Sequence, residues 1–131
     1  MNTKTILCVD DDEDDLSLFR EAIESIDNTY DIVEAFNGMH AMELLQQMEQ
    51  IGTLPCLIVL DINMPRLDGK QTLALIKKDE QLKDIPLILF STSNSNMDKL
   101  YCAHYGVELV TKPSSVKSIQ YEVNRLLQYC A

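Results

Sequence analysis

Five short apolar runs, separated by stretches with helical spacing, constrain this chain more than any other feature. The runs are TILCV (5–9), YDIVEAF (30–36), CLIVL (56–60), PLILF (86–90) and VELV (107–110). Three of them are almost continuously apolar, the pattern of strands covered on both faces of a parallel sheet. Between the runs, apolar residues recur every three or four positions: Leu16, Phe19, Ile23 and Ile26; Ala41, Leu44, Leu45 and Met48; Val116, Ile119, Val123, Leu126 and Cys130. Shorter patterns surround Leu73 and Ile76, and Met97, Leu100 and Tyr101. Strand–helix order repeated five times predicts an α/β fold, a parallel sheet with helices on both faces and right-handed crossovers. The 131 residues suit one domain, 1–131, with no linker or low-complexity stretch and a last helix reaching nearly to the final residue.

The polar residues collect where these runs end. The first run leads into Asp10, Asp11 and Asp12, the third into Asp61, the fourth into Ser91, Thr92 and Ser93, and the fifth into Thr111, Lys112 and Pro113. Parallel strands bring their carboxyl ends to one edge, where open α/β sheets bind ligands. Asp10, Asp11 and Asp61 converging there would repel strongly, since two like charges about 4 Å apart cost several kcal/mol in a protein-like dielectric. Protonation of one acid relieves this, and so does a divalent cation. An all-oxygen donor set without histidine or thiolate suits Mg²⁺ or Mn²⁺. Lys112 and the Ser91 hydroxyl then complement phosphoryl oxygens, leaving Asp61 as a nucleophile that becomes an acyl phosphate. Asp14 and Asp15 read more simply, as acids favoured by a helix N-terminus.

Composition narrows the function classes. A net charge of −10 with no basic cluster argues against nucleic-acid binding. No apolar run approaches the roughly 20 residues of a membrane span, and the first residues lack a signal-peptide pattern, so a cytoplasmic protein is expected. Cys8, Cys56, Cys102 and Cys130 form no C-x-x-C pair, and neither His40 nor His104 stands at zinc spacing from them. Cys8 and Cys56 read as small core residues, and no disulfide is expected.

Taken together, VDDDEDD, LDINMPRLDG, LILFSTS and TKP, in this order over essentially the whole chain, resemble the receiver domain of two-component response regulators. The resemblance implies a flavodoxin-like (βα)5 three-layer sandwich with sheet order 2-1-3-4-5 and no output domain. It implies that Asp61 accepts a phosphoryl group from a histidine of a sensor histidine kinase or histidine phosphotransfer protein. Such a domain catalyses its own phosphorylation and dephosphorylation without independent substrate turnover. Asp11 would bind Mg²⁺ directly, Asp10 mostly through water, Asp61 through its carboxylate and Asn63 through its backbone carbonyl. Ser91 matches the switch hydroxyl and Lys112 the conserved-type lysine. Lys112–Pro113 would be a cis peptide, which proline makes accessible at about 0.5–1 kcal/mol. Pro65 and Gly69 would shape the turn after Asp61, with glycine permitting a positive φ.

Several positions depart from the family pattern. Leu109 stands where an aromatic is common in the fifth strand, so the coupling of ring and hydroxyl takes another form. Thr92 beside Ser91 narrows access to Asp61, Asn63 and Ser93 tune water attack, and Ser114 replaces a commoner apolar residue. Output would run through a partner bound on the helix 4–strand 5–helix 5 face, where Tyr101, Tyr105, Tyr121 and Tyr129 fall, or through a homodimer. Three other readings exist. One is a receiver-like interaction module that is never phosphorylated. In a calcium EF-hand loop over 10–21, Asp15 occupies the position that requires glycine. An aspartyl phosphatase lacks its second acid, because Asn63 stands there.

Overall fold

The computed structural model describes residues 4–64, 67–92, 95–113 and 115–130. The expectations for Pro65, Ser93 and Ser114 lie outside those residues. Five strands, β1 (Thr5–Val9), β2 (Asp31–Ala35), β3 (Leu57–Asp61), β4 (Leu87–Ser91) and β5 (Glu108–Thr111), alternate with helices. The helices are α1 (Glu13–Ile26), α2 (Gly38–Ile51), α3 (Gly69–Lys78), α4 (Asn96–His104) and α5 (Val116–Leu126). A short 3-10 helix, Leu127–Cys130, follows α5 where the sequence pattern extends one helix to Cys130. All strand pairs are parallel and the order is β2-β1-β3-β4-β5. This is the expected flavodoxin-like arrangement. Among the described residues no helix is long and apolar enough to cross a membrane.

The continuous apolar runs are explained by two cores. Strand side chains alternate between faces, so Ile6, Cys8, Val59, Ile88 and Phe90 pack with Phe19, Ile23, Ile119 and Val123 of α1 and α5. Leu7, Val9, Ile58, Leu60 and Leu89 pack with Leu45, Leu73, Ile76 and Cys102 of α2, α3 and α4. Burial of each such side chain contributes about 1.5–3 kcal/mol. Most helix starts are fixed by polar caps: Asp12 accepts the Asp14 and Asp15 N–H groups, and Asp68 forms a capping box with Gln71.

Helix α4 departs from its expected apolar face. Met97 and Leu100 are among the most exposed side chains, while Asp98 and Cys102 are buried. Cys102 and Tyr101 still pack against the core, and polar contacts supplement them. Asp98 forms an ion pair with Lys70 of α3, and the Tyr101 hydroxyl donates to the Lys70 carbonyl at 2.8 Å.

Three further expectations are corrected. Cys56 and Cys130 are joined in a disulfide with Cα atoms 5.2 Å apart, inside the range a disulfide spans. Motif spacing could not reveal it, because the pair is 74 residues apart and only the fold brings the 3-10 helix to the start of β3. The Lys112–Pro113 peptide is trans, the isomer that X-Pro bonds favour intrinsically. Gly69 does not serve a positive φ, which among the described glycines occurs at Gly52 and Gly106. It allows close approach: a Cβ there would lie 2.5 Å from the Asp61 carbonyl oxygen and 2.5 Å from Ile62 Cα.

Candidate phosphoryl-acceptor site

Parallel pairing brings β1, β3 and β4 to a common edge, and β5 ends beside them. The backbone continues the registers past the strand ends. The Asp10 N–H donates to the Ala35 carbonyl at 3.0 Å, Ile62 to Phe90 at 2.9 Å and Lys112 to Ser91 at 2.7 Å. Asp10, Asp61, Ser91 and Lys112 are thus carried on four adjoining backbones. Carboxylate oxygens of Asp10, Asp11 and Asp61 lie within 4.8 Å of one another. Asp10 and Asp61 are buried, each about 4% exposed, whereas Asp11 faces solvent. Ser91 is fully buried at the end of β4.

Lys112 enters this acidic cluster with its side chain 11% exposed. Its ammonium lies 2.7 Å from Asp10 Oδ2, 2.7 Å from Asp15 Oδ2 and 3.7 Å from Asp61 Oδ2. Burial favours the neutral amine, but the hydrogen bonds to Asp10 and Asp15 outweigh it and raise the Lys112 pKa. Burial and then the Asp10 charge push the Asp61 carboxyl up to about 7, against the smaller opposing pull of Lys112. Asp10 is also raised, first by burial, with the Lys112 hydrogen bond opposing. One lysine cannot neutralise this many acids. The surplus negative charge and the all-oxygen donor set of Asp10, Asp11 and Asp61 fit a hard divalent cation.

Asp15 is the residue that the sequence reading assigned too little. It is more than a helix-terminal acid, since it shares the lysine with Asp10. The cue was present: Asp12 caps α1, so Asp15 is its third residue, and helical side chains lean back toward the N-terminus. Around Asp61, the Asn63 N–H donates to Asp61 Oδ1 at 3.3 Å, and the Asn63 side-chain amide donates to Thr92 Oγ1 at 3.3 Å. This second bond links the loops after β3 and β4. Leu109 is half-buried against the α2–α3–α4 core. Tyr101 and Tyr105 are half-buried, while Tyr121 and Tyr129 are exposed.

Comparison with known proteins places this architecture. The family model described as the response regulator receiver domain matches residues 6–124. The chain belongs to that family. As a receiver domain of two-component signalling, it is similar to response regulator Rcp1 of Synechocystis sp., with 33% identity over 120 residues, covering 88% of this chain and 81% of that protein. It is 30% identical over 115 residues to the polar-differentiation response regulator DivK of Brucella ovis, covering 87% of this chain and 88% of that one. The phosphorylated cyanobacterial phytochrome response regulator RcpA superposes with a TM-score of 0.86 at 32% identity, covering 96% of this chain and 92% of that chain. The Mn²⁺-bound form of response regulator Rcp1 gives a TM-score of 0.83 at 31% identity, covering 97% and 94%. Receiver domains bind a divalent metal and interact with histidine kinases or phosphotransfer proteins and with downstream partners.

Proposed function

We propose that this receiver domain takes a phosphoryl group from the phosphohistidine of a sensor histidine kinase or histidine phosphotransfer protein onto Asp61. The observation that carries the reading is the convergence on one carboxyl group: Asp10 and Asp11 oxygens within 4.8 Å and the Lys112 ammonium 3.7 Å away. In the transfer, an Asp61 oxygen bonds to phosphorus as the nitrogen–phosphorus bond breaks, and the imidazole leaves with the electron pair. Asp10, Asp11, Asp61 and the Asn63 carbonyl would hold Mg²⁺, which supplies charge neutralisation for phosphoryl oxygens when bound. Lys112 neutralises a further oxygen and favours the ionised, nucleophilic form of Asp61. Ser91 donates a hydrogen bond to the phosphoryl group. Phosphorylation and metal binding in the similar RcpA and Rcp1 structures support the assignment.

The switched partner binds the α4–β5–α5 face. Met97, Leu100, Val116 and Tyr121 are exposed on its two helices, an apolar and aromatic composition suited to protein contact. A second copy of the chain is an alternative occupant. The module spans 1–131, and a cytoplasmic site fits its histidine-kinase partners, while the Cys56–Cys130 disulfide is a cross-link more usual in oxidising compartments.

Incubation with Mg²⁺ and acetyl phosphate, followed by intact mass measurement, tests the reading. One acid-labile phosphoryl adduct is expected, absent without Mg²⁺ and absent in Asp61→Asn. A second reading, an interaction module that is never phosphorylated, draws on the 4% exposure of Asp61. It is favoured if neither acetyl phosphate nor a phosphohistidine donor adds mass.

A further inference from the structure

We propose that Asp15 is a positioning residue, a competing counter-ion that holds Lys112 back from the acceptor until a phosphoryl group arrives. The proposal rests on the phospho-acceptor reading above and concerns the regulation of that same site. Lys112 makes two short contacts, 2.7 Å to Asp10 and 2.7 Å to Asp15, and stands 3.7 Å from Asp61. An ammonium is a compact point charge with three donors, so partners compete for its closest approach. Asp10 and Asp61 belong to the three-acid oxygen set that fits a cation, and Asp15 does not. A cation on Asp10 therefore weakens that hold on the lysine, whereas the hold of Asp15 persists.

A phosphoryl group on Asp61 adds oxygens that Lys112 must approach, and Asp15 opposes that movement. Its carboxylate is 30% exposed while the lysine is 11% exposed. Water can solvate Asp15 once the lysine has left, so the pair is breakable. Asp15 thus sets how strongly the site must be occupied before the lysine commits. It weakens retention of the phosphoryl group and biases the protein toward the unmodified state.

The test is calorimetric titration of the intact protein with beryllofluoride at saturating Mg²⁺. Asp15→Asn is expected to bind roughly three- to fivefold more tightly than wild type, the upper effect of releasing a partly exposed ion pair. Asp15→Glu, which keeps the charge, is expected to stay near wild type. Asp14→Asn removes the same charge from the same turn, at an exposed residue that forms no ion pair among the described residues, and is expected to leave the affinity within twofold. A wild type that binds and an Asp15→Asn variant that matches it or binds more weakly overturns the proposal alone. Equal gains in Asp14→Asn and Asp15→Asn also overturn it, by assigning the effect to overall charge. A wild type that binds no beryllofluoride overturns the phospho-acceptor reading and the proposal together.

Discussion

At the scale of single residues, the Asp61 carboxyl sits in an environment that resists its ionisation. Burial, then repulsion from Asp10, lifts Asp61 from 3.8 to about 7. Between those values the folded protein holds a proton that the unfolded chain releases, so this group's contribution to stability falls as pH rises. Asp61→Asn cannot ionise and escapes that loss. In chelator, urea denaturation should find the variant and wild type close near pH 4. The variant should be more stable at pH 8 by roughly 1–4 kcal/mol, the range of a shift of this order. A constant gap across pH would contradict the assignment. The principal acids and the lysine were readable from sequence because each lies within two residues of the end of an apolar run, and a parallel sheet sends all such ends to one edge. Asp15 needed two further inferences, the cap at Asp12 and the backward lean of helical side chains, and was read instead as a helix-terminal acid. The bond between Asn63 and Thr92 was unreadable, since it joins two loops whose separation periodicity does not encode.

At the scale of elements, Gly69 joins the first turn of α3 to the end of β3. A Cβ there would press on backbone atoms of Asp61 and Ile62, each 2.5 Å away, and backbone cannot rotate aside as a side chain can. Gly69→Ala should lose about 1–3 kcal/mol, as overpacked sites do, and should also slow phosphorylation by acetyl phosphate because Asp61 shifts. Gly52→Ala offers the contrast. Its φ of +75° makes it strained, yet no atom lies within 4 Å of the added carbon. It should lower the urea midpoint without changing the phosphorylation rate. Strand and helix existence followed from periodicity, with strand boundaries moving by about one residue and the last α-helix ending at Leu126 rather than Cys130. Helix α4 misled because its Met97 and Leu100 spacing resembles a core face, while the helix is anchored by Cys102 and Tyr101 together with an ion pair and a tyrosine hydroxyl. Apolar spacing cannot detect that kind of attachment.

At the scale of the whole molecule, the sheet order places acids from β1 and β3 on adjacent central strands, and the disulfide closes the opposite end. It links residues 74 apart, and a loop of that length implies about 4 kcal/mol of stabilisation in the chain-entropy account. Reductant should therefore lower the unfolding free energy of the wild type by about 2–4 kcal/mol in urea titrations. Cys130→Ser should start lower and ignore reductant. Equal wild-type stability with and without reductant would show that the cross-link contributes nothing. The polar clasp between α3 and α4 carries a different consequence. Gly69 abuts the Asp61 peptide, and its chain neighbour Lys70 is gripped by Asp98 and Tyr101. Two adjacent residues thus join the backbone beside Asp61 to the helix that displays Met97 and Leu100, a short bridge between the buried carboxyl edge and an exposed apolar surface.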